Sequence, residues 1–526
     1  MKRKKLTAIL LAATMTVTGA MGSMPAVAFA ADDTQVVNAK VAYMANPIGL
    51  DKSDVKFSWA MTSSQLGAAQ SAYQIVVRKG SADGEIVWDS GKVEDSESVG
   101  IAYGGKTALE DAARYYWTVT ITDKDGDTAT SEPAYFEIAG KMDGAKWLYA
   151  GGENEAAPLF RKEITLDANK TIASARLYMS AIGIYQAWIN GQEVKSDVDD
   201  IFNPGWTAYE RYLNYQTYDV TDMVKSGDNA IGAAVGGGWY QTAYSSDYAN
   251  VFGPDDKAEE RGLAGKLVVT YTDGTSTVVN TDNTWQVSQN SPYTYDDFWN
   301  GEHYDATIEA AIEGWNQAGY ETDDTWKAAD TTEYAGDLLP SSKATAVIRD
   351  EYEQKPILGY TYDPENIVNA TNTNEGMTYG EVVEEAVDVN GDITIKAGDK
   401  LILDLGQNMV GLTDAVMSGA KDTVVTFRFA EALNDGRDID YDSETGKTGS
   451  MGSDGPSGSL YRVALRSAQC TDTYIMNGGE REEYQQTFTY RGFRYVEVSA
   501  TEDIVLHSLR GRVVTSISER TGYITT

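Results

Sequence analysis

Two histidines and one cysteine are all that the sequence offers for nucleophilic or soft-metal chemistry. A Ser-His-Asp arrangement would have to use His303 or His507, and a zinc site would lack thiolate and imidazole ligands. Cys470 has no second cysteine to pair with and reads as a small buried hydrophobe. Carboxylates, by contrast, abound, as in the neighbours Asp199-Asp200, Asp255-Asp256 and Asp296-Asp297. Acid-base cleavage of a glycoside needs two carboxyl groups facing each other across a cleft. Adjacent acids on a strand point to opposite faces, and in loops they are commonly just solvated, so these pairs are read as non-catalytic. Two further acidic words imitate the start of a calcium loop. Asp123, Asp125 and Asp127 fit an ordinary hairpin turn equally well. Asp438, Asp440 and Asp442 are followed by Ser443 where a turn glycine is needed and by Gly449 where a bidentate Glu is needed, so a solvated acidic loop is expected.

A second kind of chemistry is carried by aromatic residues. Between Ala175 and Tyr240 the chain concentrates Trp206, Tyr209, Tyr212, Tyr215 and Tyr218, with Trp239 and Tyr240 after a glycine-rich turn. Such rings, set on a β-sheet, suit stacking against the apolar C–H faces of sugars. The elements that would position them are strands. Leu177, Met179 and Ala181, then Tyr185, Ala187 and Ile189, alternate with polar residues at the period of a half-buried strand. Asn190-Gly191 is a two-residue hairpin signal, because both residues tolerate positive φ. Long runs with helical spacing are scarce, and 33 Tyr, 11 Trp and 50 Gly fit many strands and turns.

The fold class expected is therefore all-β, with three β-sandwich domains in series. The first spans 32–139, with Trp59 and Trp117 in its core. The second spans 145–340 and ends in a linker at Leu339-Pro340-Ser341-Ser342. The third spans 355–508, and Leu401 to Gly411 reads as a strand, a polar turn and a new strand. Residues 1–30 read as a cleavable signal peptide: a basic start at Lys2 to Lys5, a short apolar core and the small-x-small site Ala28-Phe29-Ala30. The apolar run is too short to span a bilayer, so a secreted protein without membrane insertion is expected. Loss of the four basic residues takes the formal net charge of -36 four units lower, which argues against nucleic acid as a partner.

The words Trp188-Ile189-Asn190-Gly191, Asn203-Pro204-Gly205-Trp206-Thr207-Ala208-Tyr209, Tyr215 to Thr221 and Gly237-Gly238-Trp239-Tyr240 together resemble the amino-terminal β-sandwich of bacterial α-L-rhamnosidases, glycoside hydrolase family 78. The resemblance continues through Gly301-Glu302-His303-Tyr304-Asp305-Ala306. It implies a fibronectin type III-like first sandwich, a jelly-roll carbohydrate-binding-like second and a lectin-like (concanavalin-like) third. In that family an (α/α)₆ barrel carrying the catalytic carboxylates follows. Residues 509–526 look like the lead-in to such a barrel and are too few for a dozen helices of about 11 residues each. No catalytic residue is therefore assigned.

The resemblance also implies a rhamnose-binding role for the second sandwich, with calcium as a possible cofactor. The residues best placed by sequence for binding sugar are Asp200, Asn203, Trp206, Trp239 and Tyr240, with Asp199, Asp200 and Asn203 as calcium ligands. The expected function is a secreted accessory, carbohydrate-binding or scaffold portion of an α-L-rhamnosidase. Its partners would be a rhamnose-containing carbohydrate and a catalytic barrel, which a separate chain could supply. A structural or adhesive surface protein built of sandwich modules is the alternative.

Overall fold

Strong alternation makes the strand Arg114–Asp123 bury every second residue, including Trp117. In the computed structural model this strand pairs with Gln70–Lys79, Thr128–Thr130 and Ala134–Glu137, and it faces a smaller sheet made of Gln35–Val41, Lys56–Thr62 and Ile101–Ala102. Phe57, Trp59, Tyr73, Ile75, Trp117 and Phe136 fill the space between the sheets. Asp123 closes the following hairpin by accepting from the backbone N–H of Asp125 (2.9 Å) and Asp127 (3.0 Å), which is turn chemistry. The structure describes residues 34–150, 156–196, 198, 200–242, 261–343, 345–373, 376–437, 440–442, 447–450 and 453–516. The expected signal peptide lies outside them, as do Asp199, the pair Asp255-Asp256 and Asp438.

The second sandwich packs two sheets around Leu177, Met179, Ile189, Val235, Leu267 and Trp285. One sheet is centred on Leu159–Leu166 and Gly227–Gly236, the other on Ile172–Ile182 and Gly262–Tyr271. Strand Ile184–Ile189 turns into Gln192–Glu193 through Asn190 (φ 53°) and Gly191 (φ 80°), the hairpin that this dipeptide signals. The Leu339-Pro340 segment is not a linker. Strand Asp337–Pro340 pairs in parallel with Tyr212–Asp219 at one end of its sheet, where a proline without an N–H costs no ladder bond.

In the third sandwich the expected strand–turn–strand at Leu401–Gly411 is one strand, Lys400–Gly419. It runs beside Arg491–Ala500 and Ile504–Thr515, and the register to Arg491–Ala500 slips between Asp404 and Met409. Gly406, Gln407 and Asn408 form the exposed bulge that reads as a turn in sequence. Residues 509–515, expected as the start of a linker, are the second half of Ile504–Thr515 and stay within this sheet. Apart from the helix Ala306–Ala311, capped by Asp305, and short 3₁₀ turns, the described chain is all-β.

The second and third sandwiches are joined through a common sheet. Strand Gly301–Asp305 pairs in parallel with Thr471–Ile475, and Asp200–Ile201 pairs with Ala346–Gln354, which itself lies against Ile504–Thr515. Between them is a polar layer. Glu302, 0% exposed, accepts from the backbone N–H of Phe488 (2.8 Å) and Thr487 (3.1 Å) and from the Tyr484 hydroxyl (3.2 Å). Asp472 accepts from the Glu302 N–H (2.9 Å), the Arg491 guanidinium (2.7 Å) and the Gln486 amide (2.8 Å).

Candidate functional site

The expected sugar-binding residues lie where the second sandwich meets this shared sheet. Asp200 sits on the short strand Asp200–Ile201, and Asn203 follows on a corner whose bond to Pro204 is cis. Asn203 is buried. Its amide N–H₂ donates to Asp200 Oδ2 and to the Tyr218 hydroxyl (3.1 Å), and its carbonyl accepts from Thr345 Oγ1 (3.1 Å). The other Asp200 oxygen accepts from Ser196 Oγ (2.7 Å) and the Ser196 N–H (3.2 Å). Tyr218 also shares a hydrogen bond with the Tyr185 hydroxyl (2.9 Å), and burial pushes both phenols far above their ordinary pKa. This corner lines a cavity of about 100 Å³, closed on the far side by Gln485, Gln486 and Thr487 of the third sandwich.

The structure brings Asp200 and Asn203 together but separates the aromatic residues expected beside them. Trp206 is 64% exposed and offers an open ring face. Trp239 is half-buried, its ring 4.7 Å from Phe298 and 6.3 Å from Phe202. Tyr240 is buried and lies edge-on to Tyr209 at 5.2 Å. The run of tyrosines is likewise core and not platform. Tyr209, Tyr215 and Tyr218 are buried, and the Tyr215 hydroxyl donates to the Gly140 carbonyl (2.9 Å). A core and a sugar platform both favour Tyr, because each combines an apolar body with a hydroxyl that needs a partner.

The donor set does not fit calcium as it stands. A calcium ion needs six or more oxygens at about 2.3–2.6 Å, free to face it. Here the Asp200 oxygens are occupied by N–H and O–H donors, and the Asn203 carbonyl is turned to Thr345. Among the described residues, no group of three or more His, Cys, Asp or Glu side chains is placed to hold a metal ion.

Nor does the one described pair, Asp296-Asp297, form a catalytic couple. Asp296 and Asp297 are both buried, where solvated acids are expected from sequence. Asp296 accepts from Arg261 Nη1 (2.5 Å) and the Gly237 N–H (2.7 Å). Asp297 accepts from the backbone N–H of Trp299 (2.8 Å) and Asn300 (2.7 Å). These bonds, distant in sequence for Asp296 and local for Asp297, are what make burial tolerable. Glu302 is the most perturbed carboxyl of the seam. Burial foremost, and then the Asp472 charge, push its pKa up to about 8 against the pull of its N–H donors. It opens on no cleft and faces no second catalytic carboxyl. Sequence reading missed Ser196, Thr345 and the Gln485-Gln486-Thr487 wall, which no local pattern marks.

Comparison with known proteins gives these domains their relatives. Residues 36–142 match the family described as Rha78A-like, N-terminal immunoglobulin domain, which shares the sandwich architecture of the fibronectin type III expectation. Residues 170–351 match the α-L-rhamnosidase N-terminal domain, and residues 395–515 match the bacterial α-L-rhamnosidase concanavalin-like domain. An α-L-rhamnosidase from Alteromonas sp. (strain LOR) is 28% identical over 475 residues, covering 87% of this chain and 44% of that protein. The structure of α-L-rhamnosidase from Dictyoglumus thermophilum superposes with a TM-score of 0.69 at 26% identity, covering 91% of this chain and 49% of that one. The Streptomyces avermitilis α-L-rhamnosidase complexed with L-rhamnose gives a TM-score of 0.71 at 24% identity, covering 91% and 57%. The chain thus spans about half the length of the relatives that it matches. In order along the sequence, the chain matches the models described as the Rha78A-like immunoglobulin, α-L-rhamnosidase amino-terminal and bacterial α-L-rhamnosidase concanavalin-like domains.

Proposed function

We propose that this chain is a secreted accessory portion of an α-L-rhamnosidase, a rigid β-scaffold that does not itself hydrolyse the glycoside. The observation that carries this reading is the seam between the second and third sandwiches. A shared sheet and a buried, hydrogen-bonded layer around Glu302 and Asp472 hold the two as one body. Such a body suits the support of a barrel that supplies the acid and base, on this chain or another. Asp296 and Asp297 are committed to structural bonds and do not face each other across a cleft.

A second reading, capture of a rhamnose-containing carbohydrate, is favoured by one observation. Trp206, three residues after Asn203 in the chain, is exposed, as a ring that stacks on a sugar must be. Titration with L-rhamnose, with and without calcium, tests it. Binding that Asp200→Ala and Trp206→Ala both abolish supports capture at this corner, and binding that neither variant changes removes it. Absence of binding leaves the scaffold role alone.

A further inference from the structure

The third sandwich holds a cavity of about 200 Å³ in which basic and acidic side chains meet an apolar wall. Lys400, Arg428 and Arg462 line it together with the carboxylates Glu497 and Asp454. Glu497 is buried at its base and is already committed. One oxygen pairs with Lys400 Nζ (3.4 Å) and Arg428 Nη1 (3.2 Å), and the other accepts from the Tyr362 hydroxyl (3.3 Å). Arg462 is different. Its guanidinium donates only to neutral groups, the Gln469 carbonyl and Thr471 Oγ1 (3.4 Å), and its Nε is buried without a partner. Burial, and then the neighbouring Arg428 charge, hold the Arg462 guanidinium below its ordinary pKa. Glu497 and Asp454 act on this guanidinium from a distance, but among the described residues it makes no direct ion pair, which leaves its N–H groups able to take an anionic acceptor.

The remaining walls narrow the class of ligand. Tyr362, Ile367 and Leu460 supply apolar surface. Asp454 is exposed and engaged only by the Arg462 backbone N–H (3.2 Å), so it can still accept from a hydroxyl. Cations, an apolar wall and a free carboxylate acceptor suit a hydroxylated acid better than a bare inorganic anion. The volume equals on the order of six or seven waters at about 30 Å³ each, the scale of one sugar ring. The net charge of -36 does not forbid an anion here. Charges more than about 8 Å away are largely screened at physiological salt, whereas the cavity itself is lined by Lys400, Arg428 and Arg462 against Glu497 and Asp454, a local excess of positive charge.

The geometry points to a binding site for a carboxylate-bearing sugar, a uronic acid residue, between Arg462, Lys400 and Asp454. The carboxylate is received by the guanidinium and ammonium groups, as in other charge-assisted pairs. This site does not rest on the rhamnose reading and lies in a different sandwich from the Asp200 corner.

Calorimetric titration of the whole chain with sodium D-glucuronate tests it, beside D-glucose and sodium sulfate. Glucuronate is expected to bind with an affinity that falls as salt rises, with glucose giving no heat and sulfate binding more weakly. Arg462→Gln is expected to weaken glucuronate binding about tenfold or more, the scale of one lost charge-assisted hydrogen bond. Lys400→Met, which leaves Glu497 paired with Arg428, is expected to weaken it as well and carries the test if Arg462→Gln fails to fold. No binding of glucuronate, binding unchanged in a folded variant, or sulfate binding as tightly as glucuronate would each overturn the assignment.

Discussion

The two joints of the molecule are made in different ways. The first sandwich meets the second through side-chain contacts centred on one carboxylate, with Arg114 and Asp219 (4.0 Å) and the packing of Ala139 among Tyr178 and Tyr215 beside it. Glu137, buried at the junction, is held by Arg176 from the second sandwich (2.7 and 3.0 Å) and by Arg114 from its own (3.0 Å). The second meets the third through continuous strand pairing, with Glu302, Asp472 and Arg491 sealed inside. A joint made of side chains can be opened by removing one of them, and each partner keeps its own sheets and core. A joint made of a shared sheet cannot open without unfolding both partners. The second and third sandwiches should therefore behave as one cooperative unit, with the first as an appended one.

Removing a partner from the sealed joint should have the largest effect. Asp472→Ala leaves Arg491 as an uncompensated buried charge and should cost about 3–5 kcal/mol, measured by urea unfolding followed by tryptophan fluorescence. A loss below about 1 kcal/mol would mean that the seam is open to water. The pH dependence of the same joint comes next. Glu302 has its pKa raised from 4.5 to about 8, so between these values the folded state binds more protons than the unfolded one. Stability from this group is therefore greatest below pH 4.5 and is lost as pH rises toward 8. Glu302→Gln should flatten the difference between melts at pH 5 and pH 8, and an unchanged slope would assign it to other groups.

At the first joint, Glu137→Ala should cost about 2–4 kcal/mol, because Arg176 is also nearly buried, and should split the melt so that the first sandwich unfolds separately. A single, merely shifted transition would show that the two joints are alike. Trp206→Ala should have the smallest effect on stability, within about 0.5 kcal/mol, since the ring is exposed. Its effect belongs to sugar binding.

What was legible in the sequence was local. Alternation placed the strand Arg114–Asp123 and its core tryptophan, and Asn190-Gly191 placed a hairpin, because both signals lie within a few residues. The fused sheet was not legible, since it depends on pairing His303 with Thr473 and Glu302 with Asp472, far apart in the chain. The same distance hid the partners of the buried Asp296, Arg261 and the Gly237 N–H. The resemblance marked Asp200 and Asn203 as neighbours, and the structure pairs them. It could not show that their oxygens are already engaged by Ser196 and Thr345. The cationic cleft left no trace, because Lys400, Arg428 and Arg462 are scattered through an acidic sequence and meet only when the sheet forms.

The central claim is that these sandwiches support hydrolysis without performing it. Incubating the purified chain with an aryl α-L-rhamnoside, and following release of the phenol, tests that claim most directly. The account predicts no release above the spontaneous rate when no barrel is present. Sustained turnover by the three sandwiches alone, lost on mutating a residue within them, would contradict it.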